Sequence, residues 1–165
     1  TVPGAFRVMF GPTQQSWVDP SRPDFLVFEY VQQIALLLDH TALRAPDTER
    51  LRIVHIGGGG LTIPRWVAWR RPHTAQVVCE PNVELTEEVR RITPLPKRSG
   101  IKVRDVDGRT GLQAMPDEWA DVVIVDAFNG AQVPPELVTS EAFDEIRRVT
   151  RGQSVVILNL SLIHI

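Results

Sequence analysis

From position 52 onward, short runs rich in Val and Ile, several of them continuously apolar, alternate with segments whose apolar residues recur every three to four positions. The runs occupy residues 52–56 (RIVHI), 76–80 (QVVCE), 101–106, 120–126 (ADVVIVD) and 154–159. They are rich in Val and Ile and bounded by turn residues, which predicts strands. Helical spacing fills 61–69, 82–92 and 140–149. Pro64 is compatible with the first of these only in its first turn. The second has acids early and Arg90 and Arg91 late, in keeping with the helix dipole. Ser140 is the expected cap of the third, with Phe143 and Ile146 at core spacing. Strands apolar on both faces, alternating with helices, predict an α/β fold with a parallel sheet covered on both sides. Counting from residue 52, the expected strand order is third, second, first, fourth, fifth.

Before position 52 the pattern changes. Residues 7–11 and 14–19 flank Pro12 and Thr13 and read as a short hairpin. Residues 19–23 (DPSRP) form a turn-rich break. Phe25, Leu26, Phe28, Val31, Ile34, Ala35, Leu37 and Leu38 predict a helix over 25–39. The expected division is a hairpin-and-helix segment over 1–45 and a nucleoside-binding Rossmann-like domain over 46–165, incomplete after its fifth strand. Residues 161–165 match nothing expected after Asn159 and are assigned no function. The chain begins at Thr1 rather than Met, so a preceding piece is expected to be missing.

Composition changes this picture little. Apolar residues make up 43% and charged residues 23%, which suits a chain that buries a core. A net charge of −2 gives no sign of nucleic acid or an anionic membrane as partner. No apolar run approaches the ~18 residues of a membrane span, and no signal segment is seen. Cys79 is the single cysteine, so no internal disulfide forms, and no Cys/His spacing resembles a zinc site. A cytoplasmic location is the resulting expectation, with no metal.

In an open parallel sheet, ligands sit beyond the carboxyl ends of the strands. Those ends read Gly57-Gly58-Gly59-Gly60, then Glu80, then Asp107-Gly108, then Asp126. Glycines allow close approach of a ligand to the backbone. An acid about 20 residues past such a turn accepts hydrogen bonds from ribose hydroxyls, which assigns Glu80. Each feature alone has a plain reading: tight helix packing at the glycines, a solvated acid at Glu80, a turn at Asp107-Gly108, a loop cap at Asp126. Their coincidence carries the inference. A dinucleotide fingerprint would need a third glycine at Thr62, so NAD fits poorly. An adenosyl-sulfonium compound fits better, with Asp107 accepting from the adenine amine. His55, inside a buried strand, reads as a core histidine.

The stretches RIVHIGGGG, VVCEPNVEL, VRDVDGRTGL and ADVVIVDAF, together with QQSWVD…FLVFEYVQQIALLLD, resemble the spermidine synthase (polyamine aminopropyltransferase) family in its divergent bacterial branch. The resemblance covers about residues 7–160. It implies a methyltransferase-type sheet that binds decarboxylated S-adenosylmethionine, or S-adenosylmethionine, as a co-substrate that is not tightly bound. It implies that Gln15 and Glu80 lie near the ribose, with Gly57, Gly58 and Gly59 at the ligand. It also implies Asp107 and Gly108 near the adenine and Asp126 at the reacting centre. A small-molecule amine is the implied partner, and relatives are commonly homodimers. A protonated amine, with a pKa of about 10, must lose a proton before it attacks the carbon beside the sulfonium, and Asp126 is the base.

The chain departs from the family pattern at three places. The turn G-G-G-D-G has Gly60 in place of its acid and Leu61 in place of its last glycine. The D-x-x-D after the fourth strand has Asn129 as its second member. The N-terminal Y-H-E has Phe28-Glu29-Tyr30 as its nearest match. Two other readings remain open: an S-adenosylmethionine-dependent methyltransferase, and a nucleoside-binding module without catalysis. Methyltransferases often place an acid two residues before the first glycine, where this chain has His55.

Overall fold

A computed structural model describes residues 4–10, 13–130 and 132–160; the side chains of Phe10, Thr13 and Gln15 lie outside that description. Pro12 of the expected hairpin turn and the 161–165 tail also fall outside it.

Strands β1 (Phe6–Phe10) and β2 (Thr13–Val18) form the antiparallel hairpin. Helix α1 covers Glu29–His40, four residues later than the periodicity predicts. Residues 25–28 are extended instead. Phe28 has φ −83° and ψ 135°, Leu26 and Phe28 pack on the core, and Phe25 and Val27 between them are exposed. That is a period of two, the signature of an extended segment, hidden among apolar residues that also fit a helix. The Gln32 side-chain amide holds the segment by donating to the Leu26 carbonyl at 2.7 Å.

The main sheet comprises β3 (Arg52–Ile56), β4 (Ala75–Cys79), β5 (Ile101–Arg104), β6 (Ala120–Val125) and β7 (Thr150–Leu158). All pairs are parallel, in the order β5-β4-β3-β6-β7 that the alternation predicts. Helices α2 (Thr62–Arg70), α3 (Val83–Ile92), α4 (Gly108–Gln113) and α5 (Ser140–Val149) cover it. Consecutive strand residues serve opposite layers. Ile53, Val122 and Ile124 pack with Val31, Ile34 and Leu38 of α1 and with Trp66 and Val67 of α2. Val54, Val123 and Val125 pack with Leu112, Ile146 and Val149 on the other side. Burial on both faces is why these strands read as unbroken apolar runs.

Several boundaries differ from expectation. Helix α4 is a short element that the apolar pattern does not announce; Asp107 caps it. The cap of α5 is Thr139, whose Oγ1 accepts from Ala142 N at 3.1 Å, rather than Ser140. Strand β7 starts four residues early, through Thr150–Gln153, where polar side chains conceal it; Arg151 there pairs with Asp121.

Two features tie the layers together. Arg71, 6% exposed, sends its guanidinium into the connection between α1 and β3. There it donates to the carbonyls of Leu43, Ala45, Pro46 and Glu49. Leu61 adopts a left-handed conformation, φ 61° and ψ 30°. That costs a non-glycine residue roughly 1–2 kcal/mol. Its burial to 2% exposure, in a cluster with Val8, Val78 and Val89, offsets the cost.

Candidate active site

The hydrogen-bond ladder of the sheet aligns the residues that follow the strands. Glu80 N donates to Arg104 O at 3.1 Å, and Gly57 N to Cys79 O at 2.9 Å. Asp126 N donates to Ile56 O and Asn159 N to Val125 O, each at 2.9 Å. Ile56 pairs with both Cys79 and Val125, and Val125 pairs with Leu158, so Glu80, Gly57, Asp126 and Asn159 stand side by side in one row. The row opens on a cleft of about 690 Å³. Gly57, Gly58, Gly59, Glu80 and Asp126 line it from the sheet side, with Ser16 and Tyr30 from the N-terminal segment. Glu84, Glu88 and Glu136 add carboxylates to the wall, and among the described residues no Lys, Arg or His lines it.

The glycines have separate reasons. At Gly57, φ is +94° and a Cβ would stand 2.3 Å from the Asp126 carbonyl oxygen, so the turn and the next strand end meet backbone to backbone. At Gly58 a Cβ would press on Glu80 Cβ at 3.1 Å. Gly60 faces away from the cleft lining. A Cβ there would lie 2.6 Å from Val18 Cγ2 and 2.9 Å from Ser16 Cβ, because the hairpin closes over it. Gly60 N donates to Ser16 Oγ at 3.1 Å, and Thr62 Oγ1 donates to the Trp17 carbonyl at 3.0 Å. The position at which the resembling family carries an acid is therefore filled by the hairpin. Gly60→Asp is expected to lower stability by about 1–3 kcal/mol, as overpacking does. A chemical-denaturation midpoint at or above that of the parent would contradict this.

Glu80 is engaged by the glycine turn itself. Its Oε2 accepts from Gly58 N at 2.9 Å and Gly59 N at 3.2 Å, and its Oε1 accepts from Asn82 N at 2.9 Å. A carboxylate offers about four acceptor positions, so one on Oε1 stays open. Asp107 also works locally. It accepts from Thr110 N at 2.9 Å and from Thr110 Oγ1 at 2.7 Å, which holds its carboxyl below the usual carboxylate range. Gly108 lies under Ile56, whose Cγ2 would be 2.2 Å from an added Cβ. Neither Asp107 nor Gly108 is among the residues lining the cleft. Gln15 sits in β2 beside Ser16, and its side chain is outside the described residues.

Asp126 is partly buried, and burial pushes its carboxyl up to about 6. Asn159 Nδ2 donates to its Oδ1 at 2.9 Å, which opposes that rise. Tyr30 faces the same space. Burial and then the Asp126 charge push its phenol well above the ordinary tyrosine range, so it stays a protonated donor. His55, fully buried, forms a 2.8 Å hydrogen bond between Nε2 and Gln76 Oε1. Gln76 Nε2 donates to the Pro64 carbonyl and Thr74 Oγ1, each at 3.1 Å, which fixes its amide and makes His55 Nε2 the donor. Burial pushes the imidazole down to about 4, so His55 is a neutral core residue beneath the site. Cys79, also buried, has its thiol pushed up to about 11. Such a thiol is inert at neutral pH.

Sequence reasoning assigned no site role to Ser16, Tyr30, Asn159 or the cleft acids Glu84, Glu88 and Glu136. Asn159 carried a usable signal, since it follows a strand as Asp126 does. The acids of α3 carried none, because acids early in a helix are ordinary.

No protein-family model matches this chain. It is 26% identical over 148 residues to the polyamine aminopropyltransferase of Neisseria meningitidis, covering 89% of this chain and 54% of that protein. The enzyme of the same name from Chromobacterium violaceum is 25% identical over 148 residues, with the same coverage of 89% and 54%. The chain thus spans about half the length of the curated relatives it matches. Among solved structures, a probable spermidine synthase from Corynebacterium glutamicum superposes with a TM-score of 0.84 at 27% identity, over 95% of this chain and 56% of that one. Human methyltransferase-like protein 13, solved with SAH, superposes with a TM-score of 0.65 at 19% identity, over 79% and 64%, and shares the fold.

Proposed function

Taking as premise that this chain is a divergent member of the spermidine synthase family, we propose that it binds decarboxylated S-adenosylmethionine or a close adenosyl-sulfonium relative and transfers an aminopropyl group to an amine. The observation that carries this reading is the row of Glu80, Gly57 and Asp126 along a cleft walled by carboxylates. Asp126, with its carboxyl near 6, is mostly ionised at neutral pH yet basic enough to receive a proton. The amine nitrogen gives its proton to Asp126 and attacks the aminopropyl carbon beside the sulfonium. The carbon–sulfur bond breaks, its electron pair stays on sulfur, and a neutral thioether leaves as methylthioadenosine. Carboxylates on the wall favour the cationic forms of both substrates over an anionic one.

In this reading Glu80 binds the ribose through its open acceptor position, and a second ribose hydroxyl replaces one glycine N–H. The adenine amine is assigned to Asp107, whose carboxylate keeps acceptor positions beside the two that Thr110 uses, and a second ribose contact to Gln15 of β2. The whole is a single-substrate-pair enzyme working from the cytoplasm, with a homodimer as its assembled form.

Calorimetric titration with methylthioadenosine, decarboxylated S-adenosylmethionine, S-adenosylmethionine and NAD tests the binding half. The adenosyl compounds are expected to bind and NAD is not. Preference for S-adenosylmethionine over its decarboxylated form would transfer the reading to a methyltransferase. Glu80→Ala is expected to weaken methylthioadenosine binding by about 1.5–3 kcal/mol, the range for hydrogen bonds to a charged group. Unchanged affinity in that variant would remove Glu80 from the ribose site.

A further inference from the structure

Asn159 follows β7 as Asp126 follows β6, and the ladder places the two side by side. Its backbone N–H is tied to the Val125 carbonyl at 2.9 Å, directly before Asp126. Its side chain donates from Nδ2 to Asp126 Oδ1, also at 2.9 Å. Among the described residues, no other donor reaches the Asp126 carboxylate. We propose that Asn159 is the positioning residue of the site, pinning Asp126 Oδ1 so that Oδ2 is the oxygen presented to the incoming amine. This rests on the transferase reading given above and deepens it.

The chemistry favours an amide in this place. A carboxylate that cycles between charged and protonated states needs a partner able to serve both. The amide donates through Nδ2 to the ionised form, and after rotation accepts through its oxygen from the protonated form. A carboxylate partner would repel the ionised form, and a lysine or arginine would hold Asp126 ionised and weaken it as a base. The backbone bond to Val125 fixes where the amide starts from while leaving it free to turn about its own axis, so the partner of Asp126 Oδ1 is placed by the sheet rather than by the substrate. Tyr30 from α1 and His55 from β3 face the same space, and Glu80, the α3 residues Glu84 and Glu88, and Glu136 face the cleft. Tyr30 stays protonated and His55 stays neutral across the working range, so neither masks the titration of Asp126.

The test compares the parent with Asn159→Leu, which keeps the volume and removes the donor, and with Asn159→Gln, which keeps the amide. The carboxyl carbon of Asp126 is titrated by NMR in each, and the acid limb of kcat/KM is recorded against pH. Asn159→Leu is expected to raise the Asp126 midpoint by about one pH unit, the loss of a hydrogen bond to the charged form. The acid limb should move by the same amount, with kcat falling and the KM for the sulfonium substrate nearly unchanged. Asn159→Gln is expected to recover most of the shift. An unmoved Asp126 midpoint in Asn159→Leu overturns the proposal. Should that variant fail to fold, Asn159→Ala takes its place, and an unmoved Asp126 midpoint there overturns the proposal instead. A parent protein that shows no transfer overturns the transferase reading alone, since the titration is measured without turnover.

Discussion

Asp126→Asn is expected to slow transfer by about 10²–10⁴-fold, the usual contribution of a positioned base, and at the same time to stabilise the fold at neutral pH. The first effect follows because an amide keeps the shape of the side chain but cannot take the amine proton. Nucleoside affinity should change little, because Glu80 lies at the next strand end but one. The second effect is a matter of linkage. Burial raises the Asp126 carboxyl from 3.8 to about 6. The folded state therefore holds this proton more tightly than the unfolded chain, and its contribution to stability is present below pH ~4 and lost as pH rises through ~6. Above that, the ionised side chain costs on the order of 1–3 kcal/mol. Asn escapes the cost, so the variant should gain stability above pH ~6 and match the parent below pH ~4. His55 runs the other way. Burial holds its folded pKa at about 4, below the ordinary imidazole value of 6.5, so its contribution is full above ~6.5 and is lost as pH falls toward ~4, in both proteins alike. Thermal melts of the two proteins from pH 4 to 8 read the difference. Equal melting temperatures at pH 8, or retained turnover, would contradict the role given to Asp126.

The largest loss of stability from a single change is expected at Arg71. Its guanidinium donates to four backbone carbonyls in the connection that brings α1 to β3. Arg71→Met keeps much of the buried stem and removes every donor, leaving those carbonyls to find water. A charged hydrogen bond contributes about 1.5–3 kcal/mol, and the four are not additive. We expect a loss of about 3–5 kcal/mol, among the larger effects of a point substitution. Arg71→Lys should recover only part of it, because an ammonium cannot span the same fork of acceptors. Urea denaturation of the three proteins measures this; a loss below about 1 kcal/mol for Arg71→Met would show that water substitutes freely.

The sheet was legible because its three central strands, β3, β4 and β6, are buried on both faces, which leaves apolar runs with few rival readings, while the edge strands β5 and β7 are half-exposed and follow from the alternation. Strand ends then led to Gly57, Gly58, Gly59, Glu80 and Asp126, all of which line the cleft. The same rule reaches Asn159, which ends its expected strand as Glu80 and Asp126 end theirs, but a neutral amide there announces no chemistry of its own. The start of α1 is ambiguous because Leu26 and Phe28 fit both a period of two and a helical face, and Tyr30 just after it carries no separate signal of facing the cleft. Asp107 reads as a ligand residue by its place after a strand; that it also caps α4 through Thr110 N and Oγ1 has no signal in the apolar pattern, because α4 is short. Arg71 had no sequence signal, since its acceptors are backbone carbonyls 22–28 residues away.

Which group leaves the sulfonium separates aminopropyl transfer from methyl transfer. The full chain, incubated with decarboxylated S-adenosylmethionine and a diamine, can be followed by mass spectrometry of both products. The predicted result is a diamine enlarged by one aminopropyl group, with an equal amount of methylthioadenosine, in a reaction that Asp126→Asn slows by about 10²–10⁴-fold. A methylated product formed from S-adenosylmethionine, or aminopropyl transfer undiminished in Asp126→Asn, would contradict it.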